Sequence, residues 1–314
     1  MYLNFHVYHL TNLFFFVFHL SECHFSASQG LREEWLERTG PLSNEENILL
    51  EKFKEMVNKQ TGDYPYFEER FFSSRLKAGD KTSQEIHRTL QAFSPRFKKI
   101  WLQDKPRLLY WQNKLLELTD SPKMKKSLGI LARFFGTKPS QKAAKVFLLA
   151  GLSKHVGGFA VSKKQIIALE CSSVPPHRAD ALLELLTHEL AHLLFDKGKY
   201  KKMLNRKTAE LKKNLDKEEV FSRPIEVCIN EVVFTNLVNG YLGQKFFNRN
   251  LKSFAEKRLA GKKKITTYSD WLFYGCLHML DKTRDYLESK EQINAKYLDN
   301  TCKLLEETTK GRLH

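Results

Sequence analysis

The sequence predicts an α+β chain that is mainly α. Three observations carry this. Apolar side chains recur at helical spacing through most of residues 31–135 and 177–308. Between residues 145 and 171 the pattern changes to three short apolar runs bounded by glycine and polar turns, as strands are. Prolines and glycines fall at the junctions. With 314 residues, 42% hydrophobic and 28% charged, the chain has an ordinary globular composition and the length for one large domain or two modest ones.

Residues 1–28 form the first segment. Leu13 to Leu20 is mostly Phe and Leu, and the small, polar Ser26-Ala27-Ser28-Gln29-Gly30 follows. This is the pattern of a signal peptide cleaved near Ala27 or Ser28, or of a plain apolar N-terminal segment, although no Lys or Arg leads it. The leader reading implies export to a bacterial periplasm, envelope or medium. No later segment reaches the ~18–20 apolar residues that cross a bilayer, so no transmembrane span is expected beyond this one.

Residues 29–142 are expected to be a helical N-terminal region. Helices are predicted over 31–38, 45–59, 84–93, 97–118 and 123–135, with a break at 61–65. Pro95, Pro106 and Pro122 are expected to break or start helices. No functional motif stands out there. Residues 143–314 are expected to form the catalytic domain. Strands are predicted at 145–151, 157–161 and 165–171, the last two as a hairpin across Ser162 to Lys164. Helices follow at 177–195, weakly within 197–219, and at 226–240, 251–260 and 269–308.

The formal net charge of +16 attracts anionic polymers. There is no zinc-finger spacing and no aromatic signature of an RNA-binding sheet, so no specific nucleic-acid partner is expected. The lysines are spread over several segments, as on a solvated surface; an anionic envelope polymer is the partner they would suit. The five cysteines (Cys23, Cys171, Cys228, Cys276 and Cys302) form no CxxC pair, which argues against a cysteine zinc site. Two disulfides are open to the four that follow Cys23, while Cys228 and Cys276 read as small buried residues on helices.

The chemistry lies in His188-Glu189-Leu190-Ala191-His192. Histidines four apart share a helix face one turn apart. Both imidazoles can then reach one Zn²⁺ at ~2.0–2.1 Å. Glu189 is placed to take a proton from the metal's water. The flanking Leu182, Leu183, Leu185, Leu186, Leu190, Ala191, Leu193 and Leu194 make the helix apolar nearly all round. Burying two histidines and a glutamate is costly without partners, and a metal supplies them.

A zinc hydrolase needs a third protein ligand and one open position. The apolar helix over 226–240 offers Glu226 and Glu231. They are five residues apart, about 140° round a helix, so only one can face a given metal.

The HExxH pattern at 188–192, followed by the Asn230-Glu231 pair on a later helix, resembles the gluzincin superfamily, which includes thermolysin-like and aminopeptidase-N-like peptidases. The resemblance covers residues 145–240. It implies a zincin-like core with a small sheet ahead of the active helix, and Glu231 as the third zinc ligand, with Glu226 as the alternative. The 38 residues between His192 and Glu231 are about twice the families' spacing; the lysine-rich segment 197–219 accounts for the excess. The resemblance further implies that an edge strand, 157–161 or 165–171, binds an extended peptide. It also implies a transition-state donor from a later helix, for which His278, Tyr274 and Tyr268 are candidates by position. The expected function is hydrolysis of protein or peptide substrates by a zinc metallopeptidase with Glu189 as general base. The alternatives are a catalytically inactive zinc-binding envelope protein and a zinc amidase acting on a cell-wall peptide.

Overall fold

In the computed structural model, residues 2–23, 31–58, 71–72, 81–138, 143–152, 157–196 and 199–311 are described. The first elements are β1 (Leu3–His6), α1 (His9–Leu20), α2 (Leu31–Thr39), α3 (Asn44–Asn58), α4 (Lys81–Thr119) and α5 (Pro122–Phe134). The strands β2 (Ala144–Leu149), β3 (Gly158–Val161) and β4 (Ile166–Glu170) follow. Then come α6 (Ala179–Phe195), α7 (Lys199–Leu215), β5 (Glu219–Val220), β6 (Arg223–Pro224) and α8 (Ile225–Thr235). A π-helical stretch (Asn236–Leu242) continues α8 into α9 (Gly243–Phe246), before α10 (Leu251–Leu259), α11 (Tyr268–Glu288) and α12 (Ala295–Thr309). The chain is α+β and mainly α.

Two compact units form. One joins Tyr2–Leu118 with Ala143–Leu182, and the other joins Thr119–Lys142 with Leu183–His314. These divisions differ from the sequence-based boundaries at 28 and 142. Residues 143–182 pack with the N-terminal helices, and 119–142 with the C-terminal ones.

The first unit carries a four-stranded sheet in the order β1-β2-β4-β3. β1 and β4 lie parallel to β2, and β3 runs antiparallel to β4. The expected hairpin is therefore present, with β3 at an edge. β2 and β4 are nearly continuous apolar runs, as suits strands covered on both faces. The apolar run expected as a leader is folded here: β1 extends the sheet, and α1 buries Phe14, Phe15, Phe16 and Val17. Phe14 stacks on Phe71 at 4.4 Å, and Phe16 packs on Phe97 at 5.4 Å. Asn12 donates to the Leu148 carbonyl and accepts from the Ala150 N–H, closing the end of β2. His19 lies between Glu170 at 3.0 Å and the Trp35 indole N–H at 3.1 Å. An apolar stretch this short fits either a leader or a core helix, so pattern alone does not separate them. The expected cleavage region near Ala27 and Ser28 lies outside the described residues, as does the break at 61–65. Among the described residues, no helix is long and apolar enough to cross a membrane.

Pro95 and Pro106 do not break α4, which runs through both. Each interior proline removes a backbone hydrogen bond at a cost of ~3 kcal/mol. The buried stripe Ile86, Leu90, Phe93, Phe97, Ile100, Leu108, Trp111 and Leu115 spans both positions and offsets it. Pro122 does start a helix, with Ser121 capping Met124.

The second unit is helical around α8 and α11. Gly275 of α11 faces Val232 of α8, where a Cβ would stand 2.7 Å from a methyl. The missing side chain lets the two helices approach closely. The Trp271 indole N–H donates to the Cys228 carbonyl at 3.0 Å and ties them further. All five cysteines are buried and free, so neither open disulfide forms.

Candidate metal centre

α6 presents His188 and His192 from one face, as their spacing requires, and α8 brings Glu231 to them. The His188 and His192 Nε2 atoms lie 3.3 Å apart. His188 Nε2 is 3.2 Å from Glu231 Oε2, and His192 Nε2 is 3.3 Å from Glu231 Oε1. In a tetrahedral zinc site with bonds of ~2.0–2.1 Å, neighbouring ligand atoms stand about 3.3 Å apart. Only the Nε2–Nε2 separation is such an edge, because the two glutamate distances run to different oxygens; one ligand atom from each of the three residues lies within 4.8 Å of the others, close enough to converge on one ion. Among the described residues, this is the one group of three or more His, Cys, Asp or Glu side chains that could hold a metal ion. The donors, two imidazoles and a carboxylate, suit zinc. The His192 side chain keeps 25% of its exposure, so the cluster reaches the surface on that side.

Phe234, one turn after Glu231, sets its ring edge-on to His192 at 4.4 Å. Behind His188 stands a second set of polar groups. Nδ1 of His188 lies 3.3 Å from Asn239 Oδ1. The Asn239 amide N–H donates to Glu184 Oε1 at 2.8 Å, and Arg249 Nε donates to Glu184 Oε2 at 2.9 Å. Sequence reasoning missed Asn239, Glu184 and Arg249. Glu184 left a visible signal, as the one carboxylate in the leucine-rich run one turn before His188. Asn239 left less. Eight residues after Glu231 is about 80° off its face in an α-helix. The wider winding of the π-helical stretch brings Asn239 back toward the cluster.

Burial and proximity shift the metal-free titrations strongly. Burial lowers His188, but the hydrogen bond and charge of Glu231 outweigh it and raise the group to about 9. Burial lowers His192 to about 4, against the pull of Glu231. Burial would raise Glu231, but His192 and His188 hold it well below the carboxylate range. Glu189 is 4% exposed. Burial pushes its carboxyl up to about 8, against the charge of His188 and with that of Glu231. A buried carboxyl shifted this way beside a candidate metal cluster marks Glu189 as a candidate functional group.

Glu226 does not join the cluster. It points to Lys212, at 3.2 Å, because its position on α8 faces another way from Glu231. Asn230 accepts a long hydrogen bond from Tyr200 at 3.5 Å. Tyr274 and His278 of α11 pack ring on ring at 4.3 Å, and Tyr268 lies under the Arg223 guanidinium. Comparisons with protein-family models, with curated proteins and with solved structures each return no match.

Proposed function

We propose that this chain is a zinc-dependent metallopeptidase of the gluzincin type. The observation that carries the reading is the convergence of His188, His192 and Glu231, with one ligand atom from each within 4.8 Å of the others. Zinc, when bound, supplies a Lewis acid that acidifies water and polarises a carbonyl. The protein's own groups do the rest. His188 and His192 hold the ion as neutral imidazoles, and Glu231 brings it a negative charge. A cation beside Glu189 favours the ionised carboxylate, which makes that residue a base. Glu189 then accepts the proton of the attacking water and returns it to the leaving amine. The exposed side of His192 supports substrate entry from that direction. The substrate class is protein or peptide.

The test is hydrolysis of casein and of a mixed peptide library by the purified protein. Activity is expected to vanish with chelator and return with stoichiometric zinc. A zinc-loaded protein that cleaves nothing in the library would sink the peptidase reading.

A further inference from the structure

We infer that Asn239 is a positioning residue for the metal, fixing the tautomer of His188 through a relay anchored on Glu184 and Arg249. The inference rests on the zinc reading above and extends it to residues that touch no metal.

The relay runs inward from the surface. Arg249 is half exposed, while the Glu184 side chain is only 4% exposed. Arg249 Nε donates to one oxygen of Glu184 and the Asn239 amide to the other. Both oxygens of Glu184 are therefore acceptors. The Asn239 amide nitrogen must face Glu184, so its oxygen must face His188. A carbonyl oxygen only accepts, so His188 carries a proton on Nδ1. In the neutral imidazole that a metal requires, Nε2 on the side of His192 and Glu231 is then the nitrogen without a proton and is available as a ligand.

The relay is built into the backbone as well. The π-helical stretch turns Asn239 toward His188. Gly243 makes room for Glu184: a Cβ there would stand 3.2 Å from Glu184 Oε1 and 3.4 Å from Arg249 Cβ. The Arg249 backbone N–H donates to the Gly243 carbonyl at 3.0 Å, which fixes the backbone from which the side chain reaches Glu184.

The test is zinc affinity, measured by competition with a chromophoric chelator, together with the absorption spectrum of the cobalt(II)-substituted protein. Asn239→Leu keeps the branched shape of the side chain, at a larger volume, and removes both hydrogen bonds. It is expected to weaken zinc binding by about 10–100-fold and to alter the cobalt bands. The chelated variant should also melt somewhat lower, because Glu184 loses a buried partner; the altered cobalt bands are the readout that a merely structural role would not predict. The swapped pair Glu184→Gln with Asn239→Asp rebuilds the relay with donor and acceptor exchanged, and should recover near-native affinity. It also decides the question if Asn239→Leu fails to fold. Native zinc affinity in Asn239→Leu, or no recovery in the swapped pair relative to Glu184→Gln alone, overturns the inference while leaving the zinc reading intact. A wild-type protein that takes up no zinc overturns both.

Discussion

Glu231 sits between His188 and His192 with one carboxylate oxygen toward each, at 3.2 and 3.3 Å. Glu226, on the same helix, pairs with Lys212 instead. The two glutamates therefore make opposite predictions. Glu231→Gln removes the only anionic donor of the set and should lower zinc affinity by at least 10–100-fold, the loss expected from a mere supporting residue. Glu226→Gln should leave it unchanged. Zinc content after gel filtration, backed by chelator competition, separates the two; retention by Glu231→Gln with loss in Glu226→Gln would reverse the assignment.

Glu189 lies between two histidines of the cluster in sequence but is not counted among the converging donors. The proposed function gives it proton transfer rather than a hold on the ion. Glu189→Gln should therefore keep zinc at wild-type stoichiometry while lowering kcat by about 10²–10⁴-fold, the range for loss of a general base. Equal peptidase activity in this variant would remove Glu189 from the mechanism. Loss of zinc together with activity would make it a ligand instead.

The metal-free protein should lose stability as pH rises from 7 to 9. His188 is raised in the fold to about 9, so its contribution is full below the unfolded value of 6.5 and is lost as pH climbs through 9. Glu189 is raised to about 8 from 4.5, so the fold favours its neutral form and loses stability across that window as the unfolded chain ionises. His192, lowered to about 4, acts the other way and costs stability as pH falls from 6.5. The melting temperature of chelated protein, followed from pH 6 to 9, should fall above pH 7. The fall should be shallower in Glu189→Gln; an identical slope would show that Glu189 does not titrate in this range.

The site was legible where its pattern was local. The spacing of His188, Glu189 and His192 needs only a helix; the helical angle showed that only one of Glu226 and Glu231 could join them, and the choice of Glu231 came from the resemblance of the Asn230-Glu231 pair. Asn239 was hidden because its placement depends on a change of helical winding that no residue type announces. Glu184 showed as an isolated carboxylate, but its partner Arg249 comes from far along the chain, between α9 and α10. In the fold, β2, β3, β4 and the helix order followed from local runs and turns. The parallel pairing of Leu3 with Ala144 did not, because it joins distant segments. Helix α4 also went further than its prolines suggested, since a continuous buried stripe outweighed two missing hydrogen bonds.

That distant pairing makes residues 3–20 part of the folded protein's core. Phe14, Val17 and Leu20 have no exposure, and Phe16 has 1%. β1 covers one edge of β2, and Asn12 satisfies two backbone groups at its end. Truncating a buried Phe costs about 3–5 kcal/mol, a large share of a domain's stability of ~5–15 kcal/mol. Phe14→Ala should thus lower the melting temperature sharply, and Phe16→Ala should do the same. A chain beginning at Ser28 lacks the whole helix and the strand before it, and is expected to be recovered only in insoluble form. Intact mass of the soluble native protein should show residues 3–20 still attached. A soluble, cooperatively melting protein that starts at Ser28 would show instead that the segment is dispensable, as a removable leader is.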